Sequence, residues 1–354
     1  MKKKIFMIVS SLGAGGSERV YWLLSQYFNS NKYEVSVIVL NSNEQCFSTN
    51  IKGIRYIDLK TVKASKSFFK LYKILRDEKP FAVFSTNDHI NILTGMVAFF
   101  LKVPHLIARA SNDPRQMREF VGFKNRFYNF FTRLFFFRFD FVVCQSEEMQ
   151  RSISKLYGIS LKKLKVISNP VLPNDLVRNG QSAKGRKQLI GVGRLIKEKG
   201  WFRLLDIVKQ LPGNYELTIV GDGPLMQPLK NYVTANSLET RVTFLGEISD
   251  VSSQIIKHDL LVHCSFTEGF PNVVLEAISV GVPVVAFRVG GIHQVIRDSF
   301  NGFIAEQGDN TQLREYIENA CNRSWLHQLI KEDTNYRFNL KTIGKAYESL
   351  LSIK

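Results

Sequence analysis

Short apolar runs separated by longer stretches of mixed polarity recur along the whole chain. Runs near 4–10, 34–40, 81–85, 104–108 and 139–144 predict strands in the first half. Runs near 188–193, 215–221, 241–245, 259–264 and 282–286 predict strands in the second. The segments between them are amphipathic and long enough for helices, so both halves carry the grammar of a parallel α/β sheet. Each half opens with a strand running into glycine: Leu12-Gly13-Ala14-Gly15-Gly16-Ser17-Glu18-Arg19 in the first, Gly191-Val192-Gly193-Arg194 in the second. Neither has the spacing of a dinucleotide fingerprint, and no P-loop or metal-spaced aspartate pair is present.

A chain of 354 residues exceeds one ordinary core, which makes two domains the expectation. The stretch Ser168-Asn169-Pro170-Val171-Leu172-Pro173 reads as an extended linker, because each proline biases its predecessor away from helix. The expected division is therefore a first domain over 1–169, a second over 170–335 and a final segment over 336–354. That segment reads as one helix from Tyr336 to Ile353, either on the far side of the second domain or crossing back to the first. No apolar run approaches the roughly 18 residues that span a bilayer. Ile5 to Val9 follows three lysines but falls short of the about 7 apolar residues of a signal peptide, so it is better read as a buried first strand. The four cysteines, Cys46, Cys144, Cys264 and Cys321, lack metal-like or redox-like spacing and fit a reducing cytoplasm.

Charge changes this picture for the first half alone. The net charge is +17, and residues 1–170 hold 27 Lys and Arg against 12 Asp and Glu, whereas the rest is nearly balanced. The first half is thus expected to meet an anionic partner: a phospholipid surface, a lipid-linked diphosphate or nucleic acid. Arg115, Arg118, Arg126 and Arg133, with Gly122 and Asn129 between them, recur at three- and four-residue steps and form one stripe if helical, with Phe127, Phe130, Phe131, Leu134 and Phe135 beside it. Lys66, Lys70 and Lys73 stand opposite Phe68, Leu71, Tyr72 and Leu75 in the same way. Aromatic-rich basic helices suit an anionic membrane, each cation near it contributing about 1 kcal/mol. No nucleic-acid module is recognisable, so nucleic acid is not an expected partner. The expected place is cytoplasmic, peripheral on the inner face of the cell membrane.

The second half carries the candidate chemistry. Glu268-Gly269-Phe270-Pro271-Asn272 runs into Val273-Val274-Leu275-Glu276, placing one carboxylate on a loop and another inside the helix it opens. Pro271 and Asn272 are expected as first-turn and capping residues. A helix start offers backbone N–H groups to an anion, and carboxylates beside it suit sugar hydroxyls. A nucleotide sugar has all of those parts. Arg194, after the strand ending at Gly193, and Lys199 just before Gly200 fall at the same sheet edge. Two fixed cations suit a diphosphate leaving group in place of a divalent metal, so no metal or other cofactor is expected.

The order and spacing of Gly193-Arg194 … Lys199-Gly200, Val220-Gly221-Asp222-Gly223-Pro224, Glu268-Gly269-Phe270-Pro271-Asn272 … Glu276 and Gly281-Val282-Pro283-Val284-Val285-Ala286 resemble the retaining glycosyltransferases of family 4 (glycosyl transferases group 1). The resemblance implies the GT-B fold: two facing Rossmann-like domains with parallel sheets and a cleft between them. It implies that Arg194 and Lys199 hold the donor diphosphate, that Glu276 takes the ribose hydroxyls and that Glu268 faces the transferred sugar. Phe270, Pro271, Asn272, Val273 and Val274 would touch sugar and phosphate through their backbone, Ile248 would lie beside the nucleobase, and Gly15 and Gly16 would let their loop approach the diphosphate. Arg194, Lys199 and Glu268 would thus be the catalytic set. One departure is plain. Many members have a histidine after the strand that here ends at Ala108, whereas this chain reads Arg109-Ala110-Ser111-Asn112-Asp113-Pro114, and His105 lies too early. Arg109 and Asn112 are the substitutes, grouped with the arginine stripe as acceptor or membrane contacts. The segment resembles the subgroup acting in cell-surface polysaccharide, lipopolysaccharide or lipid-linked oligosaccharide assembly. The implied activity is transfer of a hexose or N-acetylhexosamine from a nucleotide diphosphate sugar, with uridine the expected base, to a lipid-linked or glycan acceptor. A front-face retaining reaction needs no protein base. The alternatives are a UDP-sugar 2-epimerase on a similar fold and a basic nucleic-acid-binding protein.

Overall fold

The computed structural model describes residues 2–13, 15–30, 32–43, 46–111, 124–171, 174–178 and 185–353, and for 124–129 the backbone alone. They form two compact units, Met1–Pro170 with Leu340–Lys354, and Val171–Asn339.

The first unit is built on β1 (Lys3–Val9), β2 (Tyr33–Val39), β3 (Ile54–Asp58), β4 (Ala82–Thr86), β5 (His105–Arg109), β6 (Phe141–Cys144) and β7 (Leu164–Val166). Every pairing is parallel, in the order β3-β2-β1-β4-β5-β6-β7. A parallel sheet buries both faces, which is why β1 is apolar almost throughout. Its alternate residues feed two cores. Ile5, Met7 and Val9 pack with α1 (Gly16–Phe28) and with α12 (Leu340–Ser349) at the end of the chain. Phe6 and Ile8 belong to the opposite core, with α2 (Phe68–Glu78), α3 (Asp88–Phe100), α4 (Lys124–Phe136) and α5 (Glu147–Tyr157).

The second unit repeats the plan with β8 (Lys187–Val192), β9 (Tyr215–Val220), β10 (Val242–Gly246), β11 (Leu260–His263), β12 (Val284–Phe287) and β13 (Gly302–Ala305), in the order β10-β9-β8-β11-β12-β13, again parallel. Helices α6 (Trp201–Gln210), α7 (Met226–Ala235) and α10 (Asn310–Asn322) cover one face. Helices α8 (Val251–Ile255), α9 (Asn272–Ser279) and α11 (His327–Phe338) cover the other. In both sheets the winding reverses beside the first strand, between β1 and β4 and between β8 and β11. The crevice at the carboxyl ends of those strands is where doubly wound sheets take ligands.

The ten strands expected from apolar runs are present, displaced by a few residues at most. Three went unforeseen, β3, β7 and β13, and all three are edge strands. In β3 and β7 only the first residue is buried, which leaves little apolar signal, whereas β13 is mostly buried but only four residues long. The helix expected from Tyr336 to Ile353 is two helices, because Asn339 is extended (φ −64°, ψ 152°) and parts α11 from α12. Beyond that break the chain packs within the first unit. Tyr347 is fully buried there, its ring 6.2 Å from that of Phe84. The Glu348 carboxylate accepts hydrogen bonds from Tyr27 Oη and Tyr33 Oη, each at 2.9 Å, and from Lys32 Nζ at 2.5 Å. Gly344 leaves room for Tyr27, whose ring carbons would lie 2.4 Å from a Cβ at that position.

Truncating a large buried ring costs about 3–5 kcal/mol. We expect Tyr347→Ala to lower the unfolding free energy of the first unit by that order and to leave the second unit's transition in place, as followed by urea denaturation. An unchanged first transition would mean that α12 is not an anchor of this core.

Candidate active site

The turn after β8 sets the first part of the site. Gly193 has φ +154° and its N–H donates to the Val220 carbonyl, so the chain leaves the sheet beside β9. Arg194 follows, exposed, and its carbonyl accepts from Trp201 Nε1 at 2.9 Å. A 3-10 turn over Lys197–Lys199 then meets Gly200, whose φ is +69°. A Cβ at Gly200 would lie 2.0 Å from the Cys264 carbonyl oxygen, so only glycine lets this turn sit against the end of β11. The Phe266 N–H donates to the Glu198 carbonyl at 2.8 Å and joins the two loops.

That seating brings Lys199 and Glu268 together. Lys199 Nζ lies 2.5 Å from Glu268 Oε1. Ser265 Oγ donates to the same oxygen at 2.8 Å, and His263 Nε2 lies 3.2 Å from it without the alignment of a hydrogen bond. Burial pushes the Glu268 carboxyl up, but the ammonium of Lys199 and the adjacent His263 outweigh burial and hold it well below the usual carboxylate range. The carboxylate is therefore ionised, and it fixes the ammonium. A lysine ammonium has three N–H donors, so this contact leaves two for a ligand.

Arg203, on the buried side of α6, holds the loop after β11. Its Nε donates to the Cys264 carbonyl at 2.7 Å, Nη2 to the Ser265 carbonyl at 2.6 Å and Nη1 to Gln307 Oε1 at 2.9 Å. The guanidinium lies 3.8 Å from the centre of the Phe266 ring and 4.0 Å from that of Phe287. Burial lowers its pKa to about 10, which still leaves it charged at neutral pH. From the far side Gly290 (φ +49°) closes on the same loop, and a Cβ there would be 2.5 Å from the Glu268 carbonyl oxygen.

Helix α9 begins at Asn272, with Pro271 in the N-cap position and no side chain capping the helix. This corrects the expected order, in which asparagine could cap: Asn272 is already helical, and proline has no side-chain acceptor. Phe270 and Val274 are buried in the core, and the Val274 N–H donates to the Pro271 carbonyl at 3.1 Å. Glu276 is half-buried one turn into α9. Ile248, in the loop after β10, is half-buried and packs on the same core. The direct contact of Lys199 with Glu268 joins two of the expected site residues across the loops after β8 and β11.

In the first unit, Gly15 precedes α1 and Gly16 begins it. A Cβ at Gly15 would lie 2.2 Å from Glu18 Oε2, and Glu18 Oε1 accepts from Asn87 Nδ2 at 2.7 Å. Arg109, expected in place of the family histidine as an acceptor or membrane contact, is 2% exposed. Its Nη2 donates to Asn169 Oδ1 at 2.7 Å and its Nη1 to Ser17 Oγ at 3.1 Å, so it ties β5, α1 and the end of the unit together. Asn112, Arg115, Arg118 and Gly122 lie outside the described residues, as do the side chains of Arg126 and Asn129. Arg133 is exposed in the last turn of α4. A cavity of about 430 Å³ at the carboxyl ends of β1 and β2 is lined by polar groups including Ser10, Ser11, Asn41, Asn43, Lys63 and His89.

Sequence reasoning missed Arg203, His263 and Ser265. A signal existed for two of them. Arg203 is a cation among Trp201, Leu204, Leu205 and Ile207 on the buried side of a short helix. His263 closes an apolar strand five residues before Glu268.

Two parallel doubly wound units, the second with an ammonium and a carboxylate locked together at its switch point, have the architecture of the GT-B class of glycosyltransferases. The comparisons specify the family. Residues 14–174 match Glycosyltransferase Family 4 and residues 174–336 match Glycosyl transferases group 1. The chain belongs to this family and is an enzyme of sugar transfer. It is 27% identical to a GalNAc-alpha-(1->4)-GalNAc-alpha-(1->3)-diNAcBac-PP-undecaprenol alpha-1,4-N-acetyl-D-galactosaminyltransferase of Campylobacter jejuni, over 97% of this chain and 92% of that protein. Its fold is that of the lipopolysaccharide outer core galactosyltransferase WaaB (TM-score 0.78, 20% identity, 99% of each chain covered). It is equally that of Anabaena HepE in complex with UDP and glucose (TM-score 0.80, 19% identity, 99% of each chain covered).

The pair has a pH signature. Because the folded Glu268 carboxyl titrates below its unfolded value of about 4.3, its stabilisation is complete above that value and is lost as pH falls through it towards the folded pKa. Lys199→Met removes the ammonium and leaves His263 to oppose the burial that raises the carboxyl. We expect the variant to melt below wild type at about pH 7 and the gap to narrow towards about pH 4, as protonation relieves the unpaired carboxylate. A gap that stays constant in thermal melts across that range would show that the two charges are not linked.

Proposed function

We infer that this enzyme transfers a hexose or N-acetylhexosamine from a nucleotide diphosphate sugar, with UDP the nucleotide, to a lipid-linked or polysaccharide acceptor in cell-surface glycan synthesis. The observation that carries this is the Lys199–Glu268 pair at the β8/β11 switch point. The ammonium, held by one contact, donates its other N–H groups to the diphosphate of the donor. Arg194, exposed on the same turn, adds a second positive charge, so the leaving group is stabilised without a metal ion. The start of α9, whose N-cap Pro271 brings no side-chain acceptor, favours the same phosphates through its helix dipole. Glu276, one turn further, takes the ribose hydroxyls, and Ile248 flanks the base. Glu268 has two tasks, fixing Lys199 and bordering the transferred sugar.

The reaction is retaining. The bond from the anomeric carbon to the diphosphate oxygen breaks, a bond to the acceptor oxygen forms on the same face, and the acceptor proton passes to the leaving diphosphate. Developing negative charge on that diphosphate is what Lys199 and Arg194 oppose. The name of the Campylobacter relative describes a diphospho-undecaprenol acceptor, and HepE was solved with UDP; these names motivate the acceptor and nucleotide proposed here. The polar cavity lined by Ser10, Asn41 and His89 receives the sugar end of the acceptor, and the enzyme works against the cytoplasmic face of the cell membrane.

We expect Lys199→Ala and Glu276→Ala each to lower kcat by roughly 10²–10³ with circular dichroism unchanged, on the scale of losing one transition-state donor. The assay is release of nucleoside diphosphate from a panel of nucleotide sugars by the purified protein. Undiminished turnover in both variants would remove this site from the reaction.

A further inference from the structure

Helices α2, α3 and α4 lie side by side on one face of the first sheet, their inner residues sharing a core. A Cβ at Gly95 of α3 would be 2.8 Å from Phe135 Cβ, which shows how closely α3 and α4 approach. Their outer surfaces are unusual for a water-facing side. Phe69 is 80% exposed, and Phe99 and Phe100 are each 66% exposed. These rings are contiguous: Phe69 packs on Phe68 at 5.3 Å, Phe68 on Phe100 at 6.1 Å and Phe100 on Phe99 at 5.5 Å between centroids. The Arg138 guanidinium stands 6.0 Å from the centre of Phe99 and donates to the Ala98 carbonyl, so the end of α4 adjoins this ridge. Phe130, Leu134 and Phe137 are exposed on α4 and just beyond it.

The charge around the ridge has one sign. Segments 62–75, 96–102 and 130–138 contain no Asp or Glu. They present Lys63, Lys66, Lys73, Lys102, Arg133 and Arg138, all exposed. Exposed aromatics set among cations match a leaflet that is apolar beneath and anionic at its surface. A second copy of the same face would meet it with like charge. Nucleic acid would account for the cations and leave the crowded phenylalanines without a role on a duplex.

We propose that the α2–α4 face docks the enzyme on an anionic lipid bilayer, with Phe69, Phe99 and Phe100 entering the headgroup boundary and the surrounding cations contacting lipid phosphates. This deepens the proposed function, since an enzyme acting on a lipid-linked acceptor must work at the bilayer surface. Lys63 also lines the polar cavity at the ends of β1 and β2. An acceptor headgroup entering that cavity would therefore stay beside the docked surface.

The test is co-sedimentation with phosphatidylglycerol vesicles, with phosphatidylcholine vesicles in parallel. We expect wild type to bind the anionic vesicles and to lose binding as salt rises. Combined Phe69→Ser, Phe99→Ser and Phe100→Ser should weaken binding at least about tenfold. Lys66→Ala, Lys73→Ala and Lys102→Ala should each weaken it about fivefold. Nucleotide-sugar turnover without vesicles should be unchanged in all of these variants, which serves as the folding control. Wild-type affinity in the serine and lysine variants would overturn the proposal. So would tighter binding to single-stranded DNA that the same variants abolish, or a wild-type dimer that the serine variant splits in the absence of vesicle binding. If wild type turns over no nucleotide sugar yet the variants lose vesicle binding, the docking face stands and the transfer reaction falls.

Discussion

An ammonium and a carboxylate held together at the carboxyl edge of β8 and β11 set the terms for the second unit. A charge in so confined a place is costly without its partner. Both loops that carry the pair must therefore stay in register with the sheet. Gly200 lets one loop sit on the Cys264 carbonyl, and Arg203 ties the other through two carbonyls and two aromatic rings. Gly290 closes it from the third side. The site is thus positioned by backbone contacts, and its catalytic cation needs little rearrangement to meet a phosphate.

The first unit uses a different device. Its glycine-led helix start is held by a polar network and one buried guanidinium. Glu18 accepts from Asn87, and Arg109 reaches Ser17 and Asn169. The arginine that stands where many relatives have a histidine is also a tie within the unit. The same unit turns its excess positive charge outward on α2–α4, away from the core that α12 completes on the opposite face of the sheet.

Much of this was legible beforehand because parallel strands buried on both faces leave continuous apolar runs. Ten strands could be read that way. Of the three others, β3 and β7 are only partly buried and read as mixed polarity, whereas β13 is mostly buried but only four residues long. Lys199 and Glu268 were legible as a cation and an acid at one sheet edge, but their direct contact was not. Nothing in the spacing of two residues 69 positions apart specifies a 2.5 Å approach. Arg203 was overlooked for a related reason: its place on the apolar side of α6 is a signal, but a buried arginine reads as a surface charge until the rings and carbonyls around it are known. The break at Asn339 was missed because asparagine is tolerated within a helix, and only packing selects the extended conformation there.

The sequence by itself determined the alternation of strand and helix, the two-unit plan, the family and the asymmetry of charge, because these depend on residue type and local period. Tertiary structure alone decided which charges are paired, which are buried and where the chain's end returns. Those outcomes depend on contacts between residues far apart in the chain. Whether Arg109 faces water or Lys199 faces a carboxylate is set by what the fold brings beside it.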